Sequence, residues 1–321
     1  KSTTINSGGR NAIGLMLVSS DTIGGGVSTS RSTLIDSSIT AIGRGIVVNR
    51  GAVATLYNTQ VVGTPGGSSG IVGGGQGATL VGGSVALYNG SIVTGEQNGV
   101  TMVSERENTN WSPSLLINNS TVEGITASGV VVDNIDGYNS VAAAINVVNG
   151  GNIIGGNGTL LEVNKANQSD LTVDNSQLRG NVSVADSAQA TVILQNKASL
   201  TGALIGVNRF TLDNASLTGQ VVGRVGKTLD GVVQNNSTVT GDMTNIHTLL
   251  VDSSLVIGSI GGDGSVESEL TLQNRASFTG GVNDINQMNI TGGASWILTG
   301  NAATNNLLIK GFGEQRNRKC T

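Results

Sequence analysis

A 39-residue repeat constrains this chain more than any other feature. Asp174, Asp213 and Asp252 recur at that interval, and so do Gln195, Gln234 and Gln273. Two glycine series keep the same step: Gly180, Gly219 and Gly258, and Gly202, Gly241 and Gly280. The repeating string is apolar-x-apolar, Asp or Gln, Asn, small residues, an apolar residue and a closing Gly, as in LTVDNSQLRG (171–180), FTLDNASLTG (210–219) and LTLQNRASFTG (270–280). The two series interleave, so the unit is a pair of coils, one near 21 residues and one near 18. Looser copies, LYNTQVVG (56–63), LYNGSIVTG (87–95) and LLINNSTVEG (115–124), lie roughly 30 residues apart and imply coils with longer loops.

A coil of about 20 residues accommodates three strands of 4–5 residues, each about 15 Å long, joined by turns. One such coil cannot bury its apolar face, but stacking sets each strand beside its copy, about 4.8 Å away. The expected fold is all-β, a right-handed parallel β-helix with three strands per coil. Leu171, Val173, Leu178, Leu212, Leu217, Val239 and Leu272 are its expected inward residues. A sandwich does not require a strict period, and a propeller blade of similar length carries four strands and aromatic signatures missing here.

Composition agrees. There are 49 Gly but only 2 Pro and 1 Cys, with 2% aromatic and 12% charged residues. This excludes collagen, a disulfide-stapled scaffold and a highly charged disordered tail. Abundant Val, Ile, Thr, Ser and Asn argue against helices. Gly and Asn supply the positive-φ conformations that sharp corners require. Asn119, Asn175, Asn214 and Asn236 lie five residues before their closing glycines, and Asn196 and Asn274 lie six before theirs. Stacked at one corner, they are expected to form an amide ladder.

One domain is expected over 1–310: irregular or capping coils in 1–55, looped coils in 56–170, tight coils in 171–294 and a cap beginning at 295–310. The tail, 311–321, is basic and apolar-poor and reads as non-native or truncated. The chain starts at Lys1 without a leader, as a mature or excised segment does. Cys320 is the single cysteine, a usage that suits a long secreted bacterial protein.

Several function classes fall away. A net charge of −4 opposes nucleic-acid binding, and no apolar run reaches the roughly 18 residues of a spanning helix. The Gly-Lys-Thr at 226–228 lacks the preceding glycine of a phosphate loop. Ser68 in GGSSG matches a nucleophile elbow only formally, with no helix to follow. The only histidine, His247, reads as a surface or turn residue rather than a catalytic base. One His and one Cys cannot build a zinc site, and no cofactor is expected.

The segment SWILTGNAATNNLL (295–308), with Trp296, Leu298, Thr299 and Gly300, looks like the start of the autochaperone segment of pertactin-like autotransporters. The coil pattern of 30–300 resembles their passenger domains. The resemblance implies secretion and display on, or release from, a Gram-negative surface, through an outer-membrane barrel of the same precursor that lies outside this chain. It also implies roles of the adhesin, aggregation, biofilm or virulence type. After Lys310 the sequence departs from the family pattern, which continues into further strands and the barrel.

On this basis the chain is expected to be a non-enzymatic adhesin on a rigid rod, with a host glycan, a matrix protein or a second copy of itself as partner. Two surfaces are candidates. The first is the column Asp174, Gln195, Asp213, Gln234, Asp252 and Gln273. Interleaved amides would relieve repulsion between carboxylates there, and the column would also form a polar, acidic stripe. The second is the loop region with Glu105, Arg106, Glu107, Trp111 and Tyr138, because Trp and Tyr often anchor interfaces. The alternative is a polysaccharide lyase or hydrolase with carboxylates drawn from Asp133, Asp136, Asp170 and Asp174.

Overall fold

A computed structural model describes residues 2–21, 27–66, 74–103, 111–134, 141–264, 267–311 and 314–318. Among these residues there is no helix, and most strands pair in parallel, as in a parallel β-helix. The chain divides into two compact units. The first comprises Lys1–Thr172 and Ser176–Ala190, and the second Val173–Asn175 and Thr191–Thr321.

In the first unit each coil contributes a strand to three sheets. Arg31–Ile35, Val53–Tyr57, Ser84–Tyr88 and Ser114–Asn118 stack in the first sheet. Gln60–Thr64, Ile92–Gly95, Thr121–Gly124 and Asn152–Gly155 stack in the second. Gln76–Val81, Val100–Val103, Val130–Asp133 and Thr159–Val163 form the third. Neighbouring coils are offset by 30 or 31 residues, as at Ser84–Ser114 and Asn118–Asn149. The looser period therefore is a property of longer coils and not of lost repetition.

In the second unit the first sheet contains Arg209–Asp213, Asp230–Gln234, Thr248–Asp252 and Glu269–Gln273. The second contains Ser199–Thr201, Ser216–Thr218, Thr238–Thr240, Leu255–Ile257, Ser277–Thr279 and Ser295–Ile297. The third is made of two-residue pieces such as Val221–Val222 and Met243–Thr244. Offsets alternate between 21 and 18 residues. The alternation has two causes. The corner after each Gln spends one extra residue, while the coil that begins at each Asp carries a seven-residue segment, 223–229 or 262–268, where its neighbour uses three.

Every residue expected to point inward does so: Leu171, Val173, Leu178, Leu212, Leu217, Val239 and Leu272 are all buried. Along the first sheet the inward column Phe210–Gly231–Leu249 shows why one rung needs glycine. A Cβ on Gly231 would stand 2.4 Å from the Phe210 ring. Trp296 fills the last inward slot of the second sheet, stacked on Phe278 at 6.0 Å, and its indole N–H donates to Gly280 O (3.0 Å). After Ala302–Gly311 the chain turns back, and Glu314–Arg318 pairs antiparallel with it.

The corners between first and second sheets come in two kinds. After each Asp a single residue takes positive φ: Asn175, Asn214 or Ser253. After each Gln two do so: Asn196–Lys197, Asn235–Asn236 and Asn274–Arg275. The partner of Asn196 and Asn274 is thus Asn235, six residues before its glycine, and not Asn236. Beneath the corners lie buried hydroxyls. Ser237 Oγ accepts from Ala215 N–H (3.1 Å) and donates to Gln234 O (2.6 Å), and Ser254 Oγ accepts from Ser237 N–H (3.1 Å). In the first unit Thr59 and Ser91 repeat the device. Each hydroxyl satisfies a backbone group that a turn would otherwise leave unpaired.

Candidate functional site

The parallel register places Gln195 beside Asp213, Asp213 beside Gln234, and Asp252 beside Gln273. No two carboxylates of the column are therefore adjacent. The amides do more than separate charges. Gln195 Nε2 donates to Asp174 Oδ2 (2.8 Å), Gln234 Nε2 to Asp213 Oδ2 (3.0 Å) and Gln273 Nε2 to Asp252 Oδ2 (2.8 Å). The corner asparagines add a second donor each: Asn196 to Asp174 (2.9 Å), Asn235 to Asp213 (2.7 Å) and Asn274 to Asp252 (2.9 Å). The asparagine amides thus donate to the aspartates of the preceding coil, instead of to one another as a pure amide ladder requires. Ser253 Oγ also donates to Asp252 (2.8 Å). These bonds, led by the one from Gln273 and opposed by slight desolvation, hold the Asp252 carboxyl below its ordinary pKa.

The same corner opens into a shallow polar hollow lined by Asn235, Asn236, Ser253, Asn274 and Arg275. This hollow, and not the bonded carboxylates, is the part of the stripe with room for a partner.

The second candidate surface is reached only in part. Glu105, Arg106, Glu107 and Tyr138 lie outside the described residues. Trp111 is half-buried and lies over Gly51, where a Cβ would meet the indole at 3.1 Å. Gly51 and Gly82 both take positive φ (70° and 67°), so this corner is shaped to receive the tryptophan.

The carboxylates considered for polysaccharide chemistry are dispersed. Asp133 is buried, accepting from Asn134 N–H (2.6 Å) and Asn164 Nδ2 (3.2 Å). Asp170 accepts from Gln168 Nε2, and Asp174 belongs to the ladder. Asp136 and Ser68 lie outside the described residues.

A second cluster in the second unit was not singled out by sequence reasoning. Arg209, Asp230, Thr248 and Glu269 stand in one outward column of the first sheet. His247, half-exposed, precedes its strand, with Nδ1 2.8 Å from Asp230 Oδ1, and Thr248 Oγ1 donates to the same oxygen (2.6 Å). Glu269 Oε1 accepts from Asn289 Nδ2 (2.7 Å) and Thr271 Oγ1 (3.1 Å). The signal was present in the repeat itself: Asp230 and Glu269 are also 39 residues apart, each four before a ladder glutamine. No group of three or more His, Cys, Asp or Glu placed to hold a metal ion occurs among the described residues.

Comparison with protein-family models, with curated proteins and with solved structures returns no match.

Proposed function

We propose that this chain is the passenger of a Gram-negative autotransporter that acts at the cell surface as an adhesin, binding a host glycan or matrix protein or joining copies of itself. Repetition carries the reading. In the second unit the corner Asn196–Lys197 returns as Asn235–Asn236 and again as Asn274–Arg275, always with two positive-φ residues. Successive copies lie two rungs apart, about 9.6 Å. A partner that carries its own repeat meets the same polar group several times, and weak contacts then add. The Ser/Thr rows of the second sheet, Ser199 and Thr201, Ser216 and Thr218, Thr238 and Thr240, give the same kind of periodic surface. The wider sequence resemblance supplies the cellular setting.

The test displays the chain on cells or beads and measures clumping and adhesion to immobilised matrix proteins. Charge reversal at the repeated corners, Lys197→Glu with Arg275→Glu, is expected to lower one of the two by about tenfold, because each lost contact is multiplied along the array. Unchanged clumping and adhesion sink the proposal. Cleavage of polysaccharide chains by the purified protein favours the alternative, a β-helical lyase or hydrolase.

A further inference from the structure

The carboxylates of the second unit fall into two groups that differ in how much of their bonding capacity is spent. In the ladder, both oxygens of Asp213 and of Asp252 accept amide donors. In the Asp230–Glu269 column each carboxylate is held by one oxygen only. Asp230 Oδ1 takes the His247 and Thr248 contacts, and Glu269 Oε1 takes both Asn289 and Thr271. Among the described residues nothing bonds Asp230 Oδ2 or Glu269 Oε2. The neighbours orient these groups and leave one strong acceptor on each.

These acceptors border two hollows that share Thr248 and Glu269. One, of about 260 Å³, is lined by Arg209, Asp230, Thr248 and Glu269 over the apolar side chains of Val232 and Leu250. The other, of about 340 Å³, is polar and is lined by His247, Glu267, Asn286, Gln287, Asn305 and Asn306. Together they form one groove across successive coils. Its ligand must offer hydroxyl donors to carboxylates, accept from a guanidinium, exchange both roles with amides, and lay a C–H face on a small apolar floor. Three carboxylates, Asp230, Glu267 and Glu269, oppose an anionic ligand, while Arg209 opposes a strongly cationic one.

We infer that this groove binds an oligosaccharide built of neutral or amino sugars. The site is separate from the repeated corners, so clumping and saccharide binding stand or fall independently.

The experiment is isothermal titration of the purified chain with hexasaccharides of α-1,4-glucose, β-1,4-glucose, β-1,4-mannose and N-acetylglucosamine, with a heparin hexasaccharide as the anionic probe. At least one neutral or amino-sugar probe is expected to bind with a Kd of about 0.1–1 mM, as befits an open groove, and heparin is not. Glu269→Gln keeps an oxygen for Thr271 and Asn289 but replaces the free acceptor with an NH₂ group. It is expected to weaken binding about tenfold or more, as is Asp230→Asn. Thr218→Ala, on the second sheet, is expected to bind as the parent does. Melting curves that overlay the parent's show that the variants are folded. No binding by any neutral or amino-sugar probe at about 5 mM, tighter binding of heparin, or parental affinity in both groove variants would each overturn the inference.

Discussion

The third sheet of the first unit and the first sheet of the second are built from the same kind of coil, yet they treat their outer faces differently. In Val100–Val103 and Val130–Asp133 every residue is buried, outward ones included. The outward column Val47–Thr79–Thr101–Val131 is shielded from water, and the Thr79 and Thr101 hydroxyls have no hydrogen-bond partner among the described residues. In Asp230–Gln234 and Thr248–Asp252 buried and half-exposed residues alternate strictly. Coil length separates the two cases. Coils offset by 18 or 21 residues hold little beyond three strands and their corners, so their outward columns remain surface. Coils offset by about 30 residues have chain to spare for a second layer. In a solenoid, then, loosening the period does not damage the core; it decides which outward residues can meet a partner.

The largest expected effect sets the two outward columns against each other. Thr101→Glu places a carboxylate where water is excluded and no partner waits, and is expected to cost about 3–5 kcal/mol. Thr211→Glu, outward in the second unit, is expected to stay within about 0.5 kcal/mol. Denaturant unfolding, with hydrogen exchange to locate the loss, measures both, and equal destabilisation would break the comparison.

The corners should behave alike in the two units. Asn119 and Asn214 hold φ of 45° and 51° at equivalent turns. Alanine at either is expected to cost about 1 kcal/mol, because its Cβ opposes the left-handed conformation, while glycine is expected to retain most of the stability. Unequal alanine penalties, read from melting curves, would show that the corner depends on coil length as well.

The smallest effect is one of pH. The folded Asp252 carboxyl titrates below its unfolded value, so its contribution is complete above the ordinary carboxylate pKa. It is lost as pH falls through the depressed value. The melting temperature of the parent is therefore expected to fall slightly more, below about pH 4, than that of Asp252→Asn, which starts lower and lacks this step. Parallel curves would remove the ladder carboxylate from the acid response.

Much of the architecture was legible in the chain. The 39-residue step gave the alternation of Asp and Gln rungs, and the predicted inward leucines and valines are buried. Less was legible at the corners, where Asn235 and not Asn236 stacks with Asn196 and Asn274, because alternate corners differ by one residue. The candidate site was least legible. The sequence draws attention to the most regular polar column, and regularity there serves internal hydrogen bonding. Asp230 and His247 lie 17 residues apart, a separation that means nothing until coils of 18 and 21 residues set them side by side.

By itself, then, the sequence determined the period, the stacking register it imposes and the residues that face inward, because burial of an apolar face in a stacked coil depends only on spacing and side-chain type. Only the tertiary structure decided which polar groups are consumed and which remain available. Bond saturation is a property of neighbours on adjacent rungs: two amides close over Asp213, whereas a histidine and a threonine share one oxygen of Asp230 and leave the other open.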